Sequence, residues 1–503
     1  MRGAPSRATA AVPPAAAALV LGLMVLVIVR LPWAGDLGMH AATVERLRHN
    51  LLDPGNPLVD ADTPSPYYSP WMLLLGCVAR VTGLSVFVVL RIGAVVGLAL
   101  LVTGVQRYVR TLSRHPVAPA LVLLCLLFLW GTALFEWSGF LGLNSLALTV
   151  SYPSVFTLGL AFHFWAWLAR AVHSSGSFGS FGSFGSSGGW GDWLGLGVLW
   201  AVILLCHQFS GVVASLGALA TVLAARPRPA RAVWARPAAG LALGVVVLWL
   251  WPYYDFFALF GAGADLESVH RALYRDPVGR FGLVLVGVVA LGLRWRRDRW
   301  DPLVLFFGLG VVVCAGGWLS GHYSWGRALP AVLIPAQVAA ALEVVAAGRR
   351  SVRVAWACVL GAALLVGAWT QAGTLGYVVG RERLPEVVAA KYREPWVGYR
   401  WITPWVKYGD VVLARTSAAR QIPAYGPYTV APGYPDFFLS DEGRRVAAVR
   451  RYFAAGTADG VRRDIVKSYG VRWVVARGAV RGAGELREVT RGPGGQVLYV
   501  VVP

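Results

Sequence analysis

WAGDLGMHAATVERLRHNLLDPGNPLVDADTPSPYYSPW, residues 33–71, follows the first long apolar run of the chain. It is too long and too polar to be a hairpin between two membrane segments. From Leu37 to Leu52 the spacing of Met39, Val44, Leu47 and Leu51 predicts a helix lying along a membrane surface. Asp36 stands at the water edge of the preceding run, and His40 follows at i+4 on the same face if the helix has begun. A partly desolvated carboxylate at that depth is suited to act as a general base. The plain alternative is an N-cap for the predicted helix.

Outward from this loop the chain is a series of apolar runs. Of 503 residues 57% are hydrophobic and 14% charged, more apolar surface than a soluble core needs. Candidate segments are 15–32, 69–106 (two pieces parted near Gly83), 117–135, 152–171, 193–206, 209–225, 237–252, 281–293, 302–319, 328–347 and 354–372. The expected fold class is an α-helical polytopic membrane protein with about 11–13 membrane segments. The N-terminal run has no A-x-A-like cleavage site after it and reads as a retained helix.

The formal charge of +21 comes in short arginine clusters between apolar runs, not on one basic face, so nucleic acid is not an expected partner. Arg107, Arg110 and Arg114, then Arg226 to Arg236, Arg294 to Arg299 and Arg349 to Arg353, mark cytoplasmic loops. The alternate loops, including 33–68, 136–151, 253–280 and 320–327, then lie outside, with the N-terminus inside. Only Lys391, Lys407 and Lys467 accompany the arginines, and with the Ala, Gly and Val richness this points to a GC-rich bacterial genome and a bacterial plasma membrane. The five cysteines all fall inside apolar stretches, without C-x-x-C spacing, which argues against disulfides and zinc sites.

Two regions are expected: a membrane domain over 1–372 and an extracytoplasmic α/β domain over 373–503. In the second, 410–414, 471–476 and 496–502 read as strands, and 441–456 and 458–470 as amphipathic helices. The Gly/Ser-rich stretch at 173–192, with its repeated S-F-G unit, reads as a cytoplasmic linker.

Gly35-Asp36-Leu37-Gly38-Met39-His40, the helix from Glu45 to Leu52 and Pro66-Tyr67-Tyr68-Ser69-Pro70-Trp71 together resemble the GT-C superfamily of membrane glycosyltransferases. That superfamily has an acid at the start of a long first external loop, a surface helix, and an aromatic-proline entry to the next segment. The break His207-Gln208-Phe209-Ser210-Gly211 is similar to its H-P-x-T/S-G break, and Tyr469 to Val475 is similar to a helix-to-strand step of its external domains.

The resemblance implies a polyprenyl-phosphate sugar donor and inverting transfer at the outer face. The acceptor would be a hydroxyl on a cell-envelope glycan, lipid or protein, with arabinofuranose or mannose as guesses for the sugar. It implies Asp36 as the base. The superfamily often has a second nearby carboxylate, but Leu37 follows Asp36 here, so dependence on a divalent metal stays open, and no other cofactor can be read.

A lipid phosphate leaving group needs fixed positive charge rather than an acid. Arg327 in Gly321-His322-Tyr323-Ser324-Trp325-Gly326-Arg327 is one candidate, with an interfacial anchor as its alternative. His207 is another, and His40, His322 and Tyr323 complete the expected donor-phosphate and substrate set. Glu136 and Asp255 each follow a helix end and are candidate second acids, with solvated caps as the alternative.

Motifs for ATP-driven transport, common hydrolases and dinucleotide binding are missing. The rivals are a transporter or flippase of lipid-linked glycans and a non-catalytic wall-assembly protein. A transporter should show mid-membrane charges or paired broken helices, and no internal repeat is visible.

Overall fold

The computed structural model describes residues 7–175, 189–226, 234–260, 267–478, 480 and 486–502. Most of the Gly/Ser-rich linker, at 176–188, lies outside the described residues, as do Arg228 and Arg231. Among the described residues seven helices are long and apolar enough to cross a membrane: Ala11–Arg30, Val86–Leu112, Pro153–Val172, Pro277–Arg297, Pro302–Ser320, Tyr323–Ala346 and Arg350–Thr370. Five shorter apolar helices accompany them: Pro70–Thr82, Ala118–Phe128, Trp190–Cys206, Gln208–Ala224 and Ala235–Trp249. Large apolar side chains such as Leu19, Leu319 and Leu365 are mostly exposed, as a lipid-facing surface requires. The chain is an α-helical polytopic membrane protein with a small C-terminal sheet.

The chain divides into two compact units, Met1–Pro32 with Ala94–Leu250 and Gly263–Glu394, and Trp33–Gly93 with Trp251–Ala262 and Pro395–Pro503.

The first unit is a helical bundle held by close backbone approach. Helices Trp190–Cys206 and Ala235–Trp249 meet at Gly197 and Gly240, where an added Cβ would strike the facing backbone. Small residues at such crossings take the place of a hydrophobic driving force between helices in lipid. The expected segment 117–135 is shorter than the pattern predicts, because its helix stops at Phe128. Beyond it the backbone runs against another loop, with Ala133 N–H donating to Gly279 O (2.7 Å) and Leu283 N–H to Trp130 O (2.9 Å). Carbonyls at this helix end are taken up by side-chain amides: Gln371 Nε2 donates to Leu127 O (2.8 Å) and Gln337 Nε2 to Leu129 O (2.9 Å). Open carbonyls in an apolar region demand such partners.

The second unit gathers the first long loop around the C-terminal sheet. Its five strands are β1 (Val411–Ala414), β2 (Tyr428–Thr429), β3 (Val471–Arg477), β4 (Leu486–Gly492) and β5 (Gln496–Val501), in the order β2-β1-β3-β5-β4. β1 is parallel to β2 and β3, while β5 runs antiparallel to β3 and β4. Helices Glu442–Tyr452 and Asp459–Ser468 pack their apolar faces on the sheet through Val449, Tyr452, Ile465 and Val466. β2 and β4 carry no strand signal in the sequence: the first is two residues long and the second, LREVTRG, is a polar edge strand.

The predicted surface helix is present as Leu37–His49, but it is largely buried, from Leu37 through Val44 and again at Arg46 and Leu47. It packs against helix Pro70–Thr82 and the turn Ile422–Tyr425. Its start is seated so closely that a Cβ on Gly38 would collide with Arg420 O. The split near Gly83 is also present, with Gly83 at φ 69° closing the Pro70–Thr82 helix in a left-handed cap.

Arg46 locks the helix in place. Its guanidinium donates to Gly426 O and Pro427 O, both at 2.9 Å, and lies 3.6 Å from the centre of the Tyr428 ring. Asn56 Nδ2 donates to Asp436 Oδ2 (2.7 Å), and Val59 forms a parallel bridge with Thr429 beside β2.

Candidate functional site

The candidate residues fall into both units. In the second unit, Asp36 occupies the N-cap position of helix Leu37–His49 at φ −86° and ψ 7°, yet its side chain makes no cap hydrogen bond. The capping role that its position suggests is therefore not the one it performs. Its surroundings come from the C-terminal part of the chain. Tyr434 Oη donates to Gly35 O (2.7 Å), and Tyr67 Oη donates to Pro435 O (2.7 Å). Burial raises the pKa of both phenols, and the negative charge of Asp36 adds to the rise in each, so the carboxylate lies within electrostatic reach of two protonated tyrosines.

His40 is one helical turn on, its backbone N–H donating to Asp36 O (3.1 Å). Burial pushes its pKa down to about 3, so at neutral pH it is an uncharged hydrogen-bonding group, not a cation. A further acid, Asp436, was not singled out by the sequence. It is buried, accepts from Asn56 and from Phe438 N–H, and is raised by burial against the pull of those hydrogen bonds. Asp255 is engaged as a cap: its Oδ1 accepts from the N–H groups of Phe257 (2.8 Å) and Ala258 (3.2 Å).

In the first unit His207 and Arg327 come together. His207 breaks two helices at φ −162° and caps the second, Gln208–Ala224, through Nδ1, which accepts from Ser210 N–H (3.1 Å). Nδ1 also lies 2.8 Å from Ser210 Oγ. Nε2 lies 3.5 Å from Arg327 Nη2. An imidazole and a guanidinium thus stand side by side, groups of the kind that bind an anionic oxygen.

Around this pair the guanidinium of Arg327 lies 4.6 Å from the Phe209 ring centre and 5.8 Å from that of Trp137. Gly139, at φ +85°, faces His207, Ser210 and Arg327, leaving room that a side chain would fill. The short helical turn Tyr323–Ala328 that carries Arg327 is braced by Glu267, whose carboxylate accepts from Ser324 N–H and Oγ, both at 2.8 Å.

His322 stacks on Trp325, with centroids 5.8 Å apart, and Tyr323 lies edge-on to Tyr274. Glu136 belongs to a separate polar network. It accepts from Asn144 Nδ2 (2.9 Å) and pairs with Arg393 (3.2 Å), while Asn144 in turn accepts from Thr374 and Tyr377. Its pKa is raised by burial, with Arg393 opposing the rise. Among the described residues no three His, Cys, Asp or Glu side chains are grouped to hold a metal ion.

Tyr67, Tyr434 and Asp436 around the loop acid, and Phe209, Ser210 and Glu267 around the cation, are the residues that sequence reasoning missed as parts of a site. Ser210 was within reach, since it stands three residues after the helix-breaking histidine, the spacing of a cap and its partner.

No family model and no curated protein sequence matches the chain. Solved structures do. The arabinofuranosyltransferase AftD from Mycobacteria superposes with a TM-score of 0.57 at 17% identity, over 100% of this chain and 40% of that one. ArnT from Cupriavidus metallidurans superposes with a TM-score of 0.53 at 15% identity, over 96% of this chain and 97% of that one. The chain therefore spans less than half the length of the AftD structure and nearly the whole of ArnT.

Proposed function

The chain has the GT-C fold of membrane glycosyltransferases, and from that premise we propose that it moves a sugar from a polyprenyl-phosphate donor to a hydroxyl of a cell-envelope acceptor. The observation that carries the reading is the approach of the Arg327 guanidinium to the His207 imidazole, a pairing suited to a phosphate oxygen.

In the proposed step the acceptor hydroxyl attacks the anomeric carbon as Asp36 takes its proton. The bond from that carbon to the phosphate oxygen breaks, and the electron pair leaves with the polyprenyl phosphate. Attack opposite to the leaving group inverts the anomeric centre. Arg327 and His207 stabilise the charge that develops on the departing phosphate, where fixed donors in a partly dry site act most strongly. The position of Asp36 at the start of the loop helix, within electrostatic reach of Tyr67 and Tyr434, supports its role as base. His40, His322 and Tyr323 are assigned to substrate contact, and Glu136 and Asp255 to second-acid positions, although both acids are engaged in structural hydrogen bonds. Loop 33–68 and region 373–503 are assigned to the outer face, on the distribution of arginines.

The test is transfer of labelled sugar from a polyprenyl-phosphate donor by the purified chain in proteoliposomes. Asp36→Asn should reduce turnover by about 10²- to 10⁴-fold, with membrane insertion unchanged. Full activity in that variant would remove Asp36 from the reaction.

A further inference from the structure

The C-terminal sheet has a feature that glycosyl transfer does not use. From β1 the chain passes to β2 on one side, then crosses back to enter β3 on the other side of β1. β1 and β3 are thus parallel neighbours whose connections part in opposite directions, and in open α/β sheets the crevice beyond the carboxyl ends of such strands is where ligands bind.

A cavity of about 820 Å³ lies there, lined by Arg415 just after β1 and by Val475, Ala476 and Arg477 at the end of β3. It is large enough for a small organic molecule and too large for a lone inorganic ion.

Its wall offers three kinds of contact. Arg415 and Arg477 are both exposed, and no described lining residue is Asp or Glu, so the cavity favours an anion. Gln421 and Gln496 each bring a side-chain carbonyl oxygen that is buried without a hydrogen-bond partner, and Gln421 is itself only 6% exposed. Unpaired buried acceptors call for a donor, and rotation about the last side-chain bond, which is soft, turns them toward a ligand. Trp396 and Phe453 add flat apolar faces.

A ligand that satisfies all three must join a negative charge, hydroxyl donors and a compact ring. We propose that this cavity binds an acidic saccharide, a sugar bearing a carboxylate or a phosphate group. The inference does not depend on Asp36 acting as a base.

The experiment uses the full chain in nanodiscs and measures binding of glucuronic acid, glucose 6-phosphate, glucose and inorganic phosphate by calorimetry. At least one acidic sugar should bind 10-fold or more tightly than both glucose and inorganic phosphate, and the tighter of the two acidic sugars tells a carboxylate ligand from a phosphorylated one. The double variant Arg415→Gln/Arg477→Gln should weaken that binding by 10-fold or more, with the unfolding temperature unchanged. Arg444→Gln, an exposed arginine elsewhere in the same domain, should leave it intact. Equal binding of glucose, equal binding of inorganic phosphate, no binding of either acidic sugar, or an unaffected double variant would each overturn the proposal. Asp36→Asn should bind the acidic sugar as the unaltered chain does, whether or not transfer is lost, so the two readings fail separately.

Discussion

At the level of single residues, His207 carries two jobs that one substitution separates. Its Nδ1 caps helix Gln208–Ala224, while Nε2 faces Arg327. Asn is among the best N-cap residues, so His207→Asn should keep the helix and change the unfolding temperature little, yet lower sugar transfer on the order of 100-fold by removing the imidazole beside Arg327. His40 makes a pH prediction. Its folded pKa is about 3 against 6.5 for the free side chain, so below pH 6.5 the unfolded chain gains a proton that the folded chain refuses. The stability this contributes is full above pH 6.5 and is lost as pH falls toward 3, by about 1.4 kcal/mol per unit. Thermal unfolding should show a loss of roughly 2 kcal/mol between pH 6.5 and 5, and His40→Gln should flatten that slope. The position of Asp36 and the break at His207 were legible in the sequence because their signals are local: a polar residue at the end of an apolar run. The companions of Asp36 were not, since Tyr434 reaches Gly35 from 399 residues away.

Among the elements, helix Leu37–His49 shows how far pattern reading extends. Its apolar spacing predicted a helix, and the helix is there, but what covers it is set by residues beyond 400. An arginine in the predicted helix looks like a water-facing residue until the Gly426 and Pro427 carbonyls and the Tyr428 ring are found around it. Arg46→Met should take the donor from the buried Pro427 carbonyl, while Gly426 O keeps Gly409 N–H (3.1 Å), and should cost about 2 kcal/mol, read as a lower unfolding temperature, whereas the same change at exposed Arg48 should cost little. The end of helix Ala118–Phe128 was illegible for a similar reason: the amides that donate to the Leu129 and Leu127 carbonyls stand at Gln337 and Gln371, 208 and 244 residues along. β4 was missed because an edge strand need not alternate apolar and polar residues.

For the whole molecule, the apolar runs foretold a polytopic membrane protein, since backbone in lipid has few alternatives to the helix. Orientation rests on arginine clusters, and it is directly checkable: an alkaline phosphatase fused after Pro503 should be active, and one fused at Arg297 inactive. The second unit has a consequence for how the chain is made. Arg46 bonds to Gly426, Asn56 to Asp436, and Val59 bridges to Thr429, each pair about 370 to 380 residues apart. A ribosome delivers the Asp36 loop long before its partners. The loop must therefore wait outside its final fold through most of translation, and a chain halted before residue 426 would carry its acid with no seat to hold it.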